Sequence, residues 1–454
     1  MKRVIDFSIF RDYDIRGTYP DQINEEIFCL LGKAISSYLK VDKIAVGRDA
    51  RLSSLNLFSS LIRGILETGT DVVDLGMIST EMHYFASGYF QFPANIIVSA
   101  SHNPSQYNGL KMVKKGVVPL NGKYGLPEII KLIKEGKFAK KEIKGKVEKM
   151  NIMESWISHV LKFVDKKTLT PLKVAIDAGN GMGGLSWEKL RKDLPIEIVP
   201  LYFEPDGHFP HHLPDPSNEK NLLDLKKAIR THQADLGMAL DGDADRLFVL
   251  DENGRLISGT ILSAILSQAL LEKYGSSTVL YNAVCGRIVP ETIKKYKGTA
   301  VRVRVGHSFI KEEMRRRKAL FAGEHSGHFY FRENYNADSS TIAALIFMEY
   351  LSKTKLPVSL LVDEFNKYQT SGEINFQINS SDILEKVAKE FKDAKAQDWL
   401  DGLSVWYDNW WFSLRASKTE PLLRLNIEAN NQSLLKAGIK KIEELIVFLG
   451  GVKT

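Results

Sequence analysis

Three segments of the chain share one plan, and this repeat constrains the fold more than any other feature of the sequence. In each segment an apolar strand is followed by a polar or glycine-rich turn, a helix-length stretch and a second apolar strand. The paired strands lie at 43–49 and 71–76, at 173–180 and 196–200, and at 278–282 and 300–306. The first strand of each pair starts about 22–28 residues before the second, the length of a compact βαβ unit. The repeat predicts three α/β domains of similar build.

The texture of the sequence changes after residue 370. Residues 373–378 alternate with a period of two, strands at 403–407 and 410–414 flank a turn, and apolar residues recur at helical spacing over 433–448. These features predict a smaller C-terminal α+β domain. We place the four domains at 1–149, 150–253, 254–370 and 371–454, with boundaries at a lysine-rich segment, at the turn 251–254 and at the pair 371–372.

The composition is typical of a soluble globular protein. Of 454 residues, 44% are hydrophobic and 26% are charged, and no apolar run reaches the ~20 residues that span a bilayer. The N-terminus lacks the apolar stretch of a signal peptide. Only Cys29 and Cys285 are present, so we expect no disulfide framework. These features predict a cytoplasmic protein, and we expect a monomer or a weak dimer.

The charge balance favours a small anionic substrate over a nucleic acid. The net charge is +7, but 55 acidic residues nearly match 62 basic ones. The densest basic run, 131–149, carries a single aromatic residue, Phe138, whereas platforms that stack nucleic-acid bases use several. We therefore expect a small-molecule partner and no nucleic acid or membrane partner.

Ser101 is the first candidate site residue. An apolar run at 94–98 predicts a buried strand, which stops at small and polar residues before Asn103 and Pro104. Ser101 would then lie on a loop at a strand end, where α/β sheets place ligands. It is a candidate nucleophile or phosphate carrier, although serine is also common in turns. The adjacent His102 is not expected to pair with it, because consecutive side chains usually diverge.

Three carboxylates at alternate positions form the second candidate site. Asp241, Asp243 and Asp245 follow a predicted strand, and on a tight loop they can converge on one hard cation. An EF-hand begins with the same spacing, but its sixth position requires glycine and holds Arg246 here. A nucleophilic aspartate pair of the phosphatase type is a further alternative. We favour a Mg²⁺ site, because the few protein oxygens leave room for water and a phosphate.

A third polar loop, at 323–328, lies between two apolar stretches and is bounded by glycines. Its polar side chains include Glu324, Ser326 and His328. Glutamate accepts hydrogen bonds, serine donates or accepts them and histidine does either, which suits vicinal sugar hydroxyls. Metal binding by the two histidines of this loop is an alternative, but no thiolate or further histidine cluster supports it.

A fourth loop follows a predicted strand near the C-terminus. It carries Arg415, Ser417, Lys418 and Thr419. A guanidinium that binds in a bidentate manner, hydroxyls and backbone N–H groups on one loop form a cradle for a phosphate group. Each of these polar loops, taken alone, is more often a surface turn than a site.

Five motifs in register resemble those of the α-D-phosphohexomutase family. They lie at 13–17, 99–104, 241–246, 323–328 and 415–421, and their order and spacing agree from end to end of the chain. The sugar loop is most similar to that of the phosphomannomutase/phosphoglucomutase branch. The resemblance implies a heart-shaped enzyme around a central cleft, with three α/β domains of mixed sheets and a smaller α+β domain.

The resemblance also implies roles for individual residues. Ser101 is the implied phosphoserine, and its phosphate completes the shell of a Mg²⁺ ion held by Asp241, Asp243 and Asp245. Arg16 and Lys111 are implied near the transferring phosphate, with Lys111 the candidate general acid/base. The remaining matched positions are Arg246 and His307 among the catalytic residues, and Tyr13, Glu324, Ser326, His328, Arg415, Ser417, Lys418, Thr419 and Arg424 among the substrate-binding ones.

The implied reaction interconverts hexose 1-phosphates and 6-phosphates. Phosphoserine donates its phosphoryl group to the free hydroxyl, the hexose 1,6-bisphosphate turns around, and its other phosphate returns to Ser101. The alternatives are a phosphoglucosamine mutase, a metal-dependent sugar phosphatase and an inactive sugar-phosphate sensor. Two departures bear on the site. Val284 stands where some relatives carry lysine, with Arg287 the candidate substitute, and Lys418 replaces an asparagine.

Overall fold

The computed structural model describes residues 5–378, 382–416 and 422–454. Its strands form four sheets that follow one another along the chain. The first three sheets each contain a parallel βαβ unit and are mixed, whereas the fourth is antiparallel. The predicted fold class is confirmed, and the three repeated strand pairs are the three parallel units. No helix within these ranges is long and apolar enough to cross a membrane.

The first sheet carries the loop of Ser101. Its strands are β1 (Ile15–Thr18), β2 (Lys43–Arg48), β3 (Asp71–Met77), β4 (Ala94–Val98), β5 (Tyr107–Lys114), β6 (Val118–Pro119) and β7 (Val147–Lys149). Its helices are α1 (Glu25–Leu39), α2 (Ser54–Leu66), α3 (Thr80–Tyr89) and α4 (Leu126–Glu135). The strand order is β1-β5-β4-β2-β3-β7, with β6 paired to β5. β2 and β4 are parallel while β4 and β5 are antiparallel, so the chain reverses at the serine loop.

The second sheet carries the loop of the three aspartates. Its strands are β8 (Leu172–Asp177), β9 (Ile196–Leu201), β10 (Leu236–Leu240), β11 (Leu247–Asp251) and β12 (Leu256–Ile257). Its helices are α5 (Met153–Val160), α6 (Gly183–Leu190) and α7 (Leu223–His232). The order is β12-β11-β10-β8-β9. β10 and β11 form an antiparallel pair, and the aspartate loop is the connection between them.

The third sheet carries the predicted sugar loop. Its strands are β13 (Thr278–Asn282), β14 (Thr299–Val303), β15 (Phe321–Gly323), β16 (Phe329–Phe331) and β17 (Ala337–Asp338). Its helices are α8 (Gly259–Tyr274), α9 (Ile288–Lys295), α10 (His307–Arg317), α11 (Ser340–Thr354) and α12 (Val358–Asp363). The order is β14-β13-β15-β16-β17. β15 and β16 are antiparallel, so residues 324–328 form the turn of a hairpin.

The fourth sheet has six strands and packs on a hydrophobic core of its own. Its strands are β18 (Gln369–Gln377), β19 (Ala396–Asp398), β20 (Leu403–Trp406), β21 (Trp410–Ala416), β22 (Leu422–Ala429) and β23 (Val452–Lys453). Its helices are α13 (Ile383–Glu390) and α14 (Gln432–Phe448). The order is β19-β20-β21-β22-β18-β23. The predicted hairpin and closing helix correspond to β20–β21 and α14.

Local sequence explains where the longer helices begin. A serine or asparagine precedes each of five helices and accepts a hydrogen bond from an N–H in the first turn, which otherwise has no partner inside the helix. These N-cap residues are Asn24, Ser79, Ser258, Ser339 and Asn431. Short 3₁₀ helices lie at Phe7–Ile9, Leu161–Phe163, Glu219–Leu222 and Arg332–Asn334.

The sheets run slightly past two of the predicted domain boundaries. β12 pairs with β11, so the second sheet continues to Ile257, beyond the predicted end at 253. β18 begins at Gln369, before the predicted start of the last domain at 371. Both differences arise because a turn inside a sheet looks, in sequence, like a turn between domains. The four domain ranges stay a prediction.

Candidate active site

Ser101 lies on the loop between β4 and β5, at the edge where the parallel strands β2 and β4 end. Its backbone has a left-handed φ of 52°, which residues other than glycine rarely adopt. The side chain is buried, and its Oγ donates a hydrogen bond to Oδ2 of Asp241 over 3.1 Å. The loop predicted to carry phosphate therefore meets the first carboxylate of the predicted metal loop.

The prediction that His102 diverges from Ser101 is wrong. Nδ1 of His102 lies 3.2 Å from Oγ of Ser101. The general tendency of consecutive side chains to diverge does not hold in this loop, where Ser101 itself has a left-handed backbone. Burial, followed by the charge of Arg246, lowers the pKa of His102 to about 3. The imidazole beside the serine is therefore neutral in ordinary buffers and adds no charge to the site.

The three aspartates form a buried cluster on the β10–β11 loop. Each contributes a carboxylate oxygen, and these oxygens all lie within 4.8 Å of one another. Asp241 and Asp243 have no exposed surface, and Asp245 has 2%. Burial, followed by the charge of Asp245, raises the pKa of Asp241 to about 7. Three converging carboxylates in a dry site require a positive charge among them.

Lys111 supplies a positive charge to two of the carboxylates. From β5 its Nζ reaches Oδ2 of Asp243 over 2.6 Å and Oδ2 of Asp245 over 2.7 Å. Burial opposes the charged lysine, but the two aspartates raise its pKa well above the ordinary value. The structure thus brings Lys111 to the aspartate cluster, and its role as general acid/base stays a prediction.

The donor set of the aspartate loop fits a metal ion. Within the described ranges, Oδ1 of Asp243 and Oδ1 of Asp245 are buried and make no hydrogen bond, which is costly for a carboxylate; the latter atom has only an ion pair of 3.4 Å with Nε2 of His328. A hard cation that prefers oxygen ligands would satisfy both atoms. The side chains of Asp241, Asp243 and Asp245 would hold it, beside Oγ of Ser101.

Two predicted arginines flank Ser101. Arg16, on β1, donates from Nη1 to Oδ1 of Asn103 and from Nη2 to Oδ2 of Asp14 over 2.6 Å. Arg246 donates from Nε to Oδ2 of Asp241 over 2.9 Å. Both guanidinium groups therefore contact the serine loop or the carboxylate that accepts from Ser101, and their catalytic roles stay a prediction.

The sugar loop docks onto the metal loop. The backbone N–H of Leu247 donates to the carbonyl of Gly327 over 3.0 Å, and Nε2 of His328 lies 3.4 Å from Oδ1 of Asp245. Burial opposes the charged imidazole, but Asp245 raises the pKa of His328 to about 8. The contact joins the loops of the second and third sheets into one surface.

Hydrogen bonds from neighbouring strands fix Glu324 in the sugar loop. Its Oε1 accepts from the hydroxyl of Tyr330 over 2.6 Å and its Oε2 from Nδ2 of Asn282 over 3.2 Å. Ser326 is exposed, and its Oγ lies 3.2 Å from Nδ1 of His328. The carboxylate of Glu324 is held in one position by its two partners, whereas the hydroxyl of Ser326 faces solvent and is free to form a hydrogen bond with a sugar.

His307 and Tyr13 lie together where the first and third domains meet. The His307 ring, at the start of α10, is 5.4 Å from the Tyr13 ring between centroids. Burial, followed by the charge of Lys311, holds the pKa of His307 well below its ordinary value. Among the described residues Nδ1 of His307 is buried without a hydrogen-bond partner, and the predicted catalytic role of this residue stays a prediction.

Two arginines of the fourth sheet face each other. Arg415 on β21 and Arg424 on β22 are cross-strand partners in the strand register. Nη1 of Arg415 lies 3.3 Å from Oδ2 of Asp401, and Nε of Arg424 lies 3.8 Å from Oε1 of Glu373. Like charges directly opposite in a sheet repel, so this pair suits an anion. Ser417, Lys418 and Thr419, also predicted here, lie outside the described residues.

Arg287 lies between the third and fourth sheets. Its Nη1 donates to the carbonyl of Asp408 and its Nη2 to the carbonyl of Tyr407, each over 2.7 Å. The guanidinium is thus committed to the contact between these two sheets. Its predicted role as a substitute for the lysine missing at Val284 stays a prediction.

Two residues of the site were missed by sequence reasoning. Thr80, at the start of α3, donates from Oγ1 to Oδ2 of Asp243 over 2.5 Å. Arg51 contacts the carbonyl of Ser101 over 2.7 Å. Arg51 follows β2, whose parallel neighbour β4 leads into the serine loop. The rule that ligands gather at the carboxyl ends of parallel strands was the available signal for Arg51.

Models of four protein-family domains match the chain in order. They are phosphoglucomutase/phosphomannomutase alpha/beta/alpha domain I at residues 8–140, domain II at 154–254, domain III at 258–368 and the C-terminal domain at 373–445. The matches cover most of the chain and include the serine, metal, sugar and phosphate loops.

Individual relatives are similar over their whole length. A phosphomannomutase of Escherichia coli is 35% identical over 451 residues, which cover 97% of this chain and 98% of the relative. A phosphomannomutase of Methanocaldococcus jannaschii is 38% identical over 448 residues, which cover 98% of each chain. A crystal structure of a phosphoglucomutase/phosphomannomutase family protein from Burkholderia thailandensis matches with a TM-score of 0.90 at 29% identity and covers 98% of both chains.

Proposed function

Because the chain belongs to the phosphoglucomutase/phosphomannomutase family, we propose that it interconverts hexose 1-phosphates and hexose 6-phosphates through a phosphoserine at Ser101 and a hexose 1,6-bisphosphate. Family membership confirms the resemblance carried by the five sequence motifs. The enzyme is a mutase, an isomerase that moves a phosphoryl group within the sugar.

One observation carries the assignment of Ser101. Its Oγ lies 3.1 Å from Oδ2 of Asp241, Arg246 donates to the same carboxylate, Lys111 contacts the other two aspartates, and Arg16 contacts the serine loop at Asn103. Phosphoryl transfer needs charge neutralisation and in-line positioning more than covalent chemistry. A buried hydroxyl surrounded by these groups is suited to carry a phosphoryl group that leaves and returns.

The two transfers are the reverse of each other. In the first, the bond between phosphorus and Ser101 Oγ breaks while a bond forms to the free sugar hydroxyl, whose proton leaves to a base. In the second, the other phosphate of the bisphosphate returns its phosphoryl group to Ser101 Oγ, and the freed sugar oxygen takes a proton. No net phosphate is released, and the enzyme ends phosphorylated.

We assign the metal position to Mg²⁺. The three aspartates offer few protein oxygens, which leaves room for water and a phosphate oxygen, as Mg²⁺ prefers. When bound, the ion would supply neutralisation of the phosphoryl oxygens. Removal of divalent ions with a chelator should abolish activity, and Mg²⁺ should restore it. Full activity in chelator would contradict this assignment.

The fourth domain is the proposed clamp for the phosphate that is not reacting. Arg415 and Arg424 oppose each other there, and the predicted phosphate loop, with Ser417, Lys418 and Thr419, follows β21. Asp401 ties this region to the third domain, because its Oδ2 accepts from the backbone N–H of Val305 over 3.1 Å. Val305 precedes the Gly306–His307 turn, so the clamp and the cleft share a contact.

A coupled assay tests the function directly. Mannose 1-phosphate with a trace of hexose 1,6-bisphosphate should give mannose 6-phosphate without release of inorganic phosphate. Steady phosphate release would favour the sugar phosphatase, and binding with unchanged isomer ratios would favour the inactive sensor. Intact-mass measurement should show one phosphate on the protein, located at Ser101.

The preferred hexose follows from the sugar loop. Glu324 and Ser326 are proposed to contact hydroxyls away from the 2-position, so we expect activity on both mannose and glucose 1-phosphates. A preference of more than about 100-fold, or ~2.7 kcal/mol, for glucosamine 1-phosphate would instead favour the phosphoglucosamine mutase.

The cellular compartment and the oligomeric state are proposed from the composition of the chain. Cys29 and Cys285 are both free, which suits a reducing cytoplasm. We propose a cytoplasmic monomer or weak dimer. Light scattering during size exclusion should give a mass near that of one chain at micromolar concentration, and a stable larger assembly would contradict it.

A further inference from the structure

Arg51 binds the backbone of the serine loop with both terminal nitrogens of its guanidinium group. Nη2 donates to the carbonyls of Ser101 over 2.7 Å and of Asn103 over 2.5 Å. Nη1 donates to the carbonyls of Pro104 over 2.7 Å and of Tyr107 over 3.1 Å. Four carbonyls, three in the serine loop and one at the first residue of β5, therefore converge on a single side chain.

The surroundings of Arg51 hold this guanidinium in place. It is 3% exposed, and its Nε lies 3.3 Å from Oδ2 of Asp49. The ring of Phe209, from the second domain, lies 5.2 Å from the guanidinium carbon. A Cβ added to Gly207 would lie 2.7 Å from Cα of Arg51, so the second domain packs directly onto this segment. The carboxylate of Asp49 and the ring of Phe209 thus hold the guanidinium group of Arg51 in place.

The contacts explain how an unfavourable loop conformation is kept. Ser101 has a left-handed φ of 52°, a region that residues other than glycine rarely occupy. The carbonyl of Ser101 itself points to Arg51, which fixes the peptide that follows the serine. In a trans peptide the N–H points opposite to the carbonyl, so the N–H of His102 is directed away from Arg51.

We propose that Arg51 is a positioning residue for phosphoryl transfer, which holds the Ser101 loop so that Oγ stays against Asp241. This inference rests on the proposed function. Arg51 does not touch the reacting atoms and acts through the loop backbone. An arginine is required because its planar group presents five donors in a fixed fork, whereas the ammonium group of lysine is one compact centre that cannot span four carbonyls.

The test compares Arg51→Lys with a matched control, Arg315→Lys. Arg315 also donates its guanidinium to loop carbonyls, at Gly116 and Val117, but it does not contact the serine loop. Both variants keep a positive charge and lose the fork. The measurements are kcat and KM for mannose 1-phosphate, normalised to the phosphorylated fraction of the protein by intact mass.

We expect Arg51→Lys to lower kcat by roughly 100-fold, as a misplacement of about 1 Å does, and to change KM by less than about threefold, because the distal clamp is untouched. Arg315→Lys should keep both constants within about threefold. An unchanged kcat in Arg51→Lys would overturn the proposal. A rise in KM that accounts for the whole loss would also overturn it, since Arg51 would then act in substrate binding.

Amide hydrogen exchange gives a readout that does not depend on activity. Residues 101–107 should exchange faster in Arg51→Lys than in the wild type, while the strands of the first sheet keep their protection. Equal exchange in this loop would overturn the proposal even for an active mutase. A wild type that converts no hexose phosphate would instead overturn the proposed function, and the exchange comparison would still decide the role of Arg51.

Phe209→Leu decides the question if Arg51→Lys fails to fold. This variant leaves Arg51 in place and removes only the ring that covers it. It should lower kcat by about fivefold and leave KM unchanged, which is the same pattern as in Arg51→Lys with a smaller effect on kcat. An unchanged kcat in Phe209→Leu would then overturn the proposal.

Discussion

The junction of the first three domains and the joint between the third and fourth are held together by different kinds of contact. One continuous apolar cluster runs through the first three domains, with Phe85, Trp187 and Phe321 among its buried members. The fourth domain has a separate cluster that includes Phe376 and Phe412. Separating the first three domains would therefore expose a shared core, whereas moving the fourth leaves its own core intact.

The polar contacts follow the same division. At the junction, Glu81 of the first domain accepts from Oγ of Ser339 over 2.6 Å, and from Oγ1 of Thr341 over 2.6 Å, in the third domain. Beside them, Oγ of Ser340 donates to the carbonyl of Ala244 in the metal loop over 2.7 Å. These residues are at most 1% exposed. The start of α11 thus binds the first and second domains together next to the aspartate cluster.

The joint of the fourth domain depends on long side chains near the surface. Arg287 reaches two carbonyls across it. Arg302 reaches Oδ2 of Asp398 over 2.6 Å and Oγ of Ser404 over 2.7 Å. Water can replace such partly exposed bonds at small net cost. On the function proposed above, the reacting end of the substrate would meet the rigid junction and the distal phosphate would meet a domain that can separate, as a turning bisphosphate requires.

The largest expected effect is at the rigid end. Ser101→Ala should lower activity by at least ~10³-fold, because the group that carries the phosphoryl is lost. Sugar phosphate should still bind, since the fourth domain is unchanged, and intact mass should show no phosphate on the variant. A Ser101→Ala protein that is still phosphorylated and active would show that Ser101 is not the phosphoryl carrier, and the comparison between a reacting site at the junction and a binding site on the fourth domain would fail.

The stability of the rigid junction should depend on pH through Glu81. Burial raises the pKa of its carboxyl from 4.5 to about 7, against the donors Ser339 and Thr341 and with a contribution from the charge of Asp245. Between these pH values the folded protein keeps a proton that the unfolded chain releases. The free energy of unfolding should therefore fall as pH rises through this window, by about 3 kcal/mol from this group.

Glu81→Gln isolates that contribution. The amide does not titrate, so its thermal midpoint should change less between pH 5 and pH 7.5 than that of the wild type. Scanning calorimetry of both proteins at the two pH values makes the comparison. Equal changes in the two proteins would show that folding does not raise the pKa of the Glu81 carboxyl.

A smaller effect is expected at the distal clamp. Arg415→Ala should raise KM by about 10- to 100-fold, the value of a charged hydrogen bond of ~1.5–3 kcal/mol, and should leave phosphorylation of Ser101 intact. Lys440→Ala, at an exposed position on α14, is the control and should change neither constant. Steady-state kinetics decide, and an Arg415→Ala protein with normal KM would exclude this loop as the clamp.

The smallest effect is expected at the joint itself. Arg287→Lys should lose one of its two carbonyl contacts, worth ~0.5–1.5 kcal/mol, and so change KM by about two- to tenfold. The change should grow with ionic strength, because the remaining contact is partly exposed. An effect as large as that of Arg415→Ala would place Arg287 on the substrate, as the sequence predicted from the missing lysine at Val284.

The sequence was sufficient where chemistry is local. The aspartate loop and the serine loop each lie within a few residues, so turn residues after an apolar strand predicted both sites. It was insufficient where partners are distant. Arg51 lies 50 residues from Ser101 and Thr80 lies 163 residues from Asp243, and no local pattern links them.

The prediction about His102 was wrong for a different reason. The expectation that neighbouring side chains diverge is a tendency of ordinary backbone, and the serine loop, which contains the left-handed residue Ser101, departs from it. Sequence patterns do not give the sign of φ at a serine, since the conformation is imposed by contacts such as those of Arg51. The backbone of the serine loop is thus a tertiary property, although its residues are contiguous.

The carboxyl of Glu81 also has a consequence for synthesis of the chain. Its partners Ser339 and Thr341 follow it by 258 and 260 residues, so a ribosome must complete two domains and most of a third before this buried group can meet either partner. Contacts of such separation form late, after closure of a long loop. A nascent chain that ends before α11 would hold the serine and aspartate loops without the helix that joins them. The contacts of α11 with both the first and the second domain are therefore absent from any chain that ends before residue 339.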